Sequence, residues 1–301
     1  MSAVTKSTVT TAKPVTKMKS RSQGQEAWRR LKKNKGAMLG LAFLILLVVV
    51  AIISGYIFDY ETDVIGINPA EKLQKPSAQH WFGTDNLGRD IFARVLYGSR
   101  YSLVIGVGSV FIGLVIGVLC GALAGYYGGM VDQVVMRIND MLYAVPNIMI
   151  AVVIVSLFGT STFNLLLSLC VTVATAFTRI ARASVMTIRQ QEFVEAAYAM
   201  GLPTWKVIFK HILPNCLSPI IVQATLSIGT TIINASSLSF LGIGIPSPAP
   251  EWGAMLSEGR NFIRNSGYIC VIPGLAIMFT VLALNLLGDG VRDALDPKLK
   301  K

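Results

Sequence analysis

Long apolar stretches dominate the sequence, and they restrict the possible fold more than any other feature. The first stretch covers 37–58. A helix rises about 1.5 Å per residue, so about twenty apolar residues cross the ~30 Å hydrocarbon core of a bilayer. Five further stretches follow, at roughly 102–126, 141–158, 163–186, 216–243 and 268–287. Because none of them alternates as a membrane barrel strand does, the sequence predicts an all-α polytopic membrane protein with about six transmembrane helices.

The composition also indicates a chain that faces lipid. Of its 301 residues, 53% are hydrophobic and 14% are charged, whereas soluble domains carry about 25% charged residues. The net charge of +11 suits either nucleic acid or an anionic membrane surface. The Lys and Arg residues cluster at the ends of apolar runs and form no basic stripe with interleaved aromatics, so we expect membrane lipid and no nucleic acid as a partner. The first run is longer than a signal-peptide core, and we interpret it as a retained helix.

The distribution of positive charge predicts the orientation. With the N-terminus in the cytoplasm, most of the 27 Lys and Arg residues lie on the inner side, as the positive-inside rule requires. Both termini are then cytoplasmic. The chain divides into a basic cytoplasmic tail 1–36, a first transmembrane helix 37–58, an external loop 59–101, a core 102–289 with a cytoplasmic loop 187–215, and a cytoplasmic C-terminus 290–301. Within the tail we expect disorder to about residue 25 and a short basic helix over 25–35 on the membrane surface.

A glycine repeat marks the second apolar stretch. Its members recur every four residues, at Gly113, Gly117, Gly121 and Gly125. Residues four apart share one helix face, so these glycines form a smooth groove that another helix can approach closely in lipid. We predict that this face packs against a neighbouring helix.

A polar seam runs along the fifth stretch. It consists of Gln223, Ser227, Thr231, Asn234 and Ser237. The spacings of three and four residues place all five side chains on one helical face, and polar groups in hydrocarbon need partners or water. Two interpretations are open: the seam lines a translocation path, or it hydrogen-bonds to neighbouring helices. The length of the seam favours the path.

Polar and charged residues lie at the predicted inner ends of the third and fourth stretches. Asn139 and Asp140 precede the third, where we interpret them as a helix cap. Arg179 and Arg182 lie near the end of the fourth, and we expect them to reach the interface as anchors.

The loop 187–215 has the pattern of two short helices with a break. Good helix formers fill 191–200, and Gly201 can adopt the left-handed conformation that closes a helix. Pro203 suits the first turn of the next helix, and Pro214 marks the entry to the fifth stretch. A rigid element of this kind, joined to two membrane helices, can transmit a push from a soluble partner.

This loop also carries a recognisable motif. Its residues are Glu195, Ala196, Ala197, Gly201 and, after Leu213, Pro214. The pattern resembles the EAA loop of ABC-importer permeases. The resemblance implies that these five residues form the coupling element that docks onto a partner ATPase. His211 departs from the pattern, which often has an aliphatic residue there.

Further motifs resemble the C subunits of dipeptide and oligopeptide permeases. They are HWFGTDNLGRD from His80, SFLGIG from Ser239, PEWG from Pro250 and NLLGDGVRDALDP from Asn285. With the coupling motif they cover the chain from about residue 25 to its end. The resemblance implies the type I ABC importer permease fold and a multi-pass location in a bacterial plasma membrane. It also implies transport of peptides, with nickel or glutathione as alternatives.

The same resemblance implies the partners. They are a homologous second permease, two ABC ATPase subunits and an extracytoplasmic solute-binding protein. ATP and Mg would bind to the ATPase subunits, and this chain would bind no cofactor.

The motif in the predicted external loop contains two glycines and three charged residues. They are Gly83, Asp85, Gly88, Arg89 and Asp90. We expect Asp85, Arg89 and Asp90 to satisfy one another, with Asp85 and Arg89 spaced as a helical pair. Contact with the binding protein or the partner permease would be a consequence of that structured loop.

The sequence lacks the motifs of an enzyme or of a self-powered pump. It has no Gly-Lys dipeptide and therefore no phosphate-binding P-loop. His80, His211 and four separated cysteines form no metal-binding pattern. Energy must come from a partner ATPase or from an ion gradient. The acids lie at the ends of stretches or in loops, which favours the ATPase over an ion-coupled carrier. A secondary transporter and a membrane scaffold remain the alternatives.

Overall fold

The computed structural model describes residues 23–295, and within them every regular element is helical. The start of the predicted basic tail, 1–22, and the end of the predicted C-terminus, 296–301, lie outside the described residues. The main helices are α1 Gln23–Leu31, α2 Lys35–Ile57, α3 Ile91–Tyr127, α4 Gly129–Ala144, α5 Asn147–Phe158, α6 Thr162–Arg189, α7 Glu192–Ala199, α8 Thr204–Lys206, α9 Leu217–Phe240, α10 Trp252–Gly259 and α11 Tyr268–Leu295. Short helical turns cover Tyr60–Val64, Pro69–Glu71 and Arg260–Phe262.

Five of the described helices are long and apolar enough to cross a membrane. They are α2, α3, α6, the continuous helical segment Thr204–Phe240 and α11, and the bent pair α4–α5 brings the number to six if it counts as one span. Large apolar side chains on these helices are exposed, as at Leu39 and Phe111, which suits contact with lipid. The expectation of an all-α chain with about six spans is confirmed.

The predicted third span, 141–158, is wrong as a single straight helix. The structure ends α4 at Ala144 and begins α5 at Asn147, with a bend of 89° between them. Pro146 lies at the break. Proline has no backbone N–H and disfavours helical geometry in the residue before it, so Pro146 favours a break at this position.

Two further helices begin earlier than the apolar runs suggested. Helix α3 begins at Ile91, well before residue 102, and Asp90 caps it by accepting a hydrogen bond of 3.0 Å from the Ala93 amide. The helix of the fifth span also begins early, at Thr204, so Pro214 does not mark its entry. It lies in a 3₁₀ turn, Leu213–Cys216, that follows a π turn, Val207–Ile212. These turns let the helix run from α8 into α9 without a break.

The glycine stripe packs α3 against α6 along most of their shared length. At Gly117 an added Cβ would lie 2.5 Å from the Ala174 carbonyl oxygen and 2.6 Å from Phe177 Cβ. Gly113, Gly121 and Gly125 face the backbone of α6 equally closely. Since such approaches are possible only without side chains, the structure confirms that the stripe is a packing surface.

Candidate functional site

The segment between α6 and α9 has the predicted helix–turn–helix form. Helix α7 ends at Ala199, and Gly201 has φ +74°, the left-handed conformation expected for a residue that closes a helix. The Met200 amide donates to the Ala196 carbonyl at 3.0 Å, and the Gly201 amide donates to that of Tyr198 at 2.8 Å. Pro203 then precedes α8.

Helix α7 has one exposed face and one buried face. Glu195 and Ala196 are exposed, whereas Val194 and Ala197 are buried. Gly201 and Pro214 are also exposed. The structure therefore gives the five motif residues two roles. Ala197 anchors the helix, and the other four lie on the accessible surface of the segment.

The buried face of α7 rests on a hydrophobic cluster shared by several helices. Val194 and Ala197 belong to the same cluster as Phe177 and Val185 of α6, and as Ile212 before α9. Tyr126 of α3 is a further member. A displacement of α7 must therefore disturb α3, α6 and the α8–α9 segment together, because close-packed interiors transmit strain.

A polar link joins α7 to α3 in addition. The Tyr198 hydroxyl donates a hydrogen bond to the Tyr126 hydroxyl, and Arg189 of α6 lies 5.6 Å from the centroid of the Tyr126 ring. Partial burial, and then the bond to Tyr126, raise the pKa of Tyr198 to about 12. Tyrosine is protonated near neutral pH even at its ordinary pKa, so the Tyr198 hydroxyl is available as a donor. The sequence analysis did not identify this pair, since nothing in the sequence shows that residues so far apart meet.

Four of the five seam residues line one cavity of about 670 Å³. They are Gln223, Ser227, Thr231 and Asn234. The fifth, Ser237, is exposed and donates to the Ile233 carbonyl at 2.9 Å. Apart from Thr230 of α9, the rest of the lining comes from the α4–α5 break and from α6, including Tyr143, Asn147, Thr172 and Thr175. The sequence analysis missed these residues, although Pro146 was the available signal for a break.

The seam side chains make their hydrogen bonds within α9. Gln223 donates to the Ser227 hydroxyl at 3.1 Å, and for Thr231 and Asn234 the described residues provide no partner. No seam residue bonds to another described helix, so the geometry favours a cavity lining over hydrogen bonding between helices. The lining contains no Asp, Glu, Lys or Arg. The cavity can therefore offer amide and hydroxyl groups to a solute, but no fixed charge.

The loop motif before α3 forms part of a buried charge cluster. Arg89 pairs with Asp85 through Nε at 2.6 Å and with Glu258 of α10 through Nη2 at 2.6 Å. Arg94 pairs with Glu258 at 3.1 Å and lies 3.7 Å from Asp85. Both arginine side chains are 1% exposed. The cluster fastens the loop to α3 and α10. The sequence analysis missed Arg94 and Glu258.

The expected contribution of Asp90 to this cluster is wrong. Asp90 caps α3 and accepts a bond from His80 Nδ1 at 2.7 Å. Asp85 and Arg89 are paired, but across a tight turn and not along a helix, because the Arg89 and Leu87 amides both donate to Asp85 Oδ1. Gly88 has φ +81° in that turn, a conformation that glycine adopts without strain.

Two ion pairs join α4 to α6. Arg182 makes two bonds to Asp132, at 2.5 and 2.6 Å, and Arg179 bonds to Asp140 at 2.7 Å. Asn139 and Asp140 lie near the end of α4, so the cap interpretation of these two residues is wrong. Arg179 and Arg182 thus form ion pairs with α4. The prediction that they are interfacial anchors did not include these pairs.

Comparison with known families decides the class of protein. A family model described as a binding-protein-dependent transport system inner membrane component matches residues 113–301. The chain belongs to this permease family. A second model, the N-terminal transmembrane domain of oligopeptide transport permease C, matches residues 22–76.

Curated relatives of this permease match over almost their whole length. The dipeptide transport system permease protein DppC of Alkalihalophilus pseudofirmus is 45% identical over 279 residues, covering 93% of this chain and 91% of the relative. The glutathione transport system permease protein GsiD of Pectobacterium atrosepticum is 43% identical over 289 residues, with 95% of each covered. GsiD of Escherichia coli O157:H7 is 45% identical over 284 residues, covering 93% and 92%.

Solved structures agree on the fold. Two crystal forms of the inward-facing MetNI methionine ABC transporter match with TM-scores of 0.57 and 0.56, each at 18% identity. They cover 67% and 68% of this permease and 96% and 98% of the matched chains. The expectation of a type I ABC importer permease fold is confirmed.

The family assignment places the permease among multi-pass inner-membrane transport components, which are not catalytic subunits. The resemblance noted from the sequence is thereby confirmed. The larger match contains the glycine stripe, the coupling segment and the seam. The charge-cluster residues Asp85, Arg89 and Arg94 lie between the two matched regions, so their roles rest on the geometry described above.

Proposed function

We propose that this permease forms half of the translocation path of an ATP-driven importer for di- and oligopeptides or similar small solutes. The observation that carries the proposal is the uncharged polar cavity between the α4–α5 break, α6 and the seam of α9. Such a lining can exchange hydrogen bonds with peptide amides and carboxylates as water leaves them. The relatives named for dipeptide and glutathione transport support this solute class.

Nickel is the weaker alternative for the solute. A soft or borderline metal ion favours imidazole, thiolate or carboxylate ligands, and the cavity lining contains none. Glutathione is itself a peptide and remains within the proposed class. We expect selection among peptides to reside largely in the separate binding protein.

The coupling segment is proposed to dock onto an ATPase subunit through its exposed face. Glu195, Ala196, Gly201 and Pro214 are accessible for that contact, and Ala197 holds the segment on the shared core. Two ATPase subunits would bind the ATP and Mg, and this chain would bind no cofactor. A homologous permease would supply the other half of the path.

The proposed mechanism follows from the core beneath α7. Closure of the ATPases would displace α7, and the cluster shared with α3, α6 and the segment before α9 would carry that displacement into the membrane helices. Helix α9 continues from α8 and bears the seam, so the motion reaches the cavity lining. The solute-binding protein would deliver solute at the opposite end, beside the loop 59–101. Both termini would be cytoplasmic.

The experiment is uptake of a labelled dipeptide into proteoliposomes that contain the whole complex, with ATP inside and the binding protein outside. We expect Glu195→Lys and Gly201→Pro to abolish uptake, because the first reverses a charge on the docking face and the second replaces a residue at φ +74°. Asp293→Lys is the matched control, since Asp293 is also an exposed acid but lies near the end of α11, outside the coupling segment and the external loop. Normal uptake by both coupling variants, with normal membrane insertion, overturns the coupling role.

Labelling of an introduced cysteine tests the orientation. Ala196→Cys should react with a membrane-impermeant maleimide only from the cytoplasmic side, and it should cross-link to an ATPase subunit. Labelling from the outside would contradict the proposed topology. Uptake that stops with an uncoupler and continues without ATPase subunits would instead identify a secondary transporter.

A further inference from the structure

A basic surface surrounds the junction of α1 and α2, at one end of the helix bundle. Four of its cations are exposed: Arg29, Lys32, Lys33 and Lys35. None of these four has an acidic partner within 4 Å in the described chain. Arg30 is nearby, but it pairs with Glu26 at 2.7 Å. The function proposed above makes no use of this surface.

Packing fixes the position of the surface. The opposite side of α1 buries Leu31 and partly buries Ala27 against Val291 and Ala294 of α11 and Ala37 of α2. The turn between the helices is tight, because the Lys33 amide donates to the Arg30 carbonyl and Asn34 caps α2 through the Ala37 amide at 3.1 Å. The cations are therefore held by the fold and do not lie on a free tail.

The start of α2 shows at which depth in the membrane the basic surface lies. This helix begins at Lys35 and is long and apolar enough to cross the hydrocarbon core. Leu39 is 68% exposed only one turn further on. The four cations thus lie where hydrocarbon gives way to headgroups. Trp28 is 47% exposed beside them, with Lys32 Nζ 5.3 Å from its ring centroid, and tryptophan is enriched at this depth.

Neighbouring acids leave the surface with a net positive charge. Helix α11 contributes exposed Asp289 and Asp293 at the same end, together with Arg292. Neither aspartate forms an ion pair within 4 Å with the four cations. We propose that this basic surface binds the headgroups of anionic phospholipids and so anchors the α1–α2 junction at the membrane interface.

The test measures quenching of Trp28 fluorescence in the full-length chain in lipid nanodiscs. Phosphatidylglycerol and phosphatidylcholine, each brominated near the headgroup, are compared at equal mole fraction in otherwise identical bilayers. Because the chain has 4 tryptophans, the Trp28 signal is the difference between the unaltered protein and Trp28→Phe. We expect stronger quenching by the phosphatidylglycerol, and we expect high salt to reduce the difference.

The variant Lys32→Gln/Lys33→Gln should lower the preference for phosphatidylglycerol by roughly an order of magnitude, since each cation near an anionic surface contributes up to about fivefold. Lys72→Gln/Lys75→Gln is the matched control, because it removes the same charge from exposed residues beyond the other end of α2. It should leave the preference unchanged.

Equal quenching by the two lipids overturns the proposal, as does a preference that survives Lys32→Gln/Lys33→Gln. If that variant instead weakens only the association with an ATPase subunit, the surface is a protein interface and the proposal is wrong.

Discussion

The contact between α3 and α6 allows one substitution to be worked out in detail. In Gly117→Ala the new methyl group would lie 2.5 Å from the Ala174 carbonyl oxygen and 2.6 Å from Phe177 Cβ. Both are backbone or near-backbone atoms, which no rotamer change can move. The two helices would have to separate locally by roughly 1 Å to reach ordinary contact distance.

The expected cost is that of overpacking, about 1–3 kcal/mol. Alanine is also the better helix former, which offsets up to about 1 kcal/mol of that cost. We therefore expect a net destabilisation of up to about 2 kcal/mol, with the melting temperature lowered by on the order of 2–4 °C per kcal/mol. The assay is thermal unfolding of the purified chain in detergent.

Gly229→Ala is the matched control. Gly229 is also buried within an apolar helix, but a Cβ there would meet its nearest neighbour, Val281 Cγ1, at 3.5 Å. This is ordinary van der Waals contact, so the variant should melt at or above the temperature of the unaltered protein. If Gly117→Ala melts as high as Gly229→Ala, close approach of the two backbones is not what the stripe provides.

Three further predictions follow from other contacts. Glu258→Gln removes an acid between two buried arginines and should lower the free energy of unfolding by about 3 kcal/mol. Glu26→Gln, at an exposed ion pair, should change it by less than about 0.5 kcal/mol. Equal melting temperatures for the two variants would contradict this prediction. Tyr198→Phe deletes the link to α3, a bond of about 0.5–1.5 kcal/mol, so the reconstituted complex should take up less solute for each ATP hydrolysed, and an unchanged ratio would refute the link. Thr231→Val keeps the shape of a seam residue but removes a hydroxyl, and it should lower the uptake rate with no change in melting temperature, whereas unchanged uptake would count against a role in the path.

The features that could be predicted from the sequence are those set by local patterns. Helical spans follow from the length of apolar runs, and the glycine repeat predicted a packing face because a spacing of four residues defines one side of a helix. The turn at Gly201 was predicted for the same kind of reason, since the left-handed conformation it adopts is a property of the residue. The coupling motif needed no knowledge of distant contacts.

The features that were missed depend on contacts between distant parts of the chain. Arg89 meets Glu258 from 169 positions away, and nothing local to either residue indicates the pairing. The cap at Asp90 and the break at Pro146 are different, because each had a local signal. An acid directly before a run of helix formers indicates an N-cap, and a proline inside an apolar stretch indicates a break. In both cases the local signal lies next to or within a continuous run of apolar residues, which on its own predicts a different helix boundary.

The break at Pro146 and the continuity at Pro214 together explain how the proposed site can work. Both prolines lie in helical regions, but only the first divides its helix. A broken helix exposes the start of α5 beside the seam and so opens the cavity, whereas an unbroken one makes α8 and α9 a single lever from the end of the coupling segment to that cavity. If the helix were broken at Pro214 instead, a displacement of α7 would not be transmitted along α9 to Gln223. The same residue type thus supplies a cavity in one helix, while in the other the π and 3₁₀ turns around it preserve the mechanical connection that coupling requires.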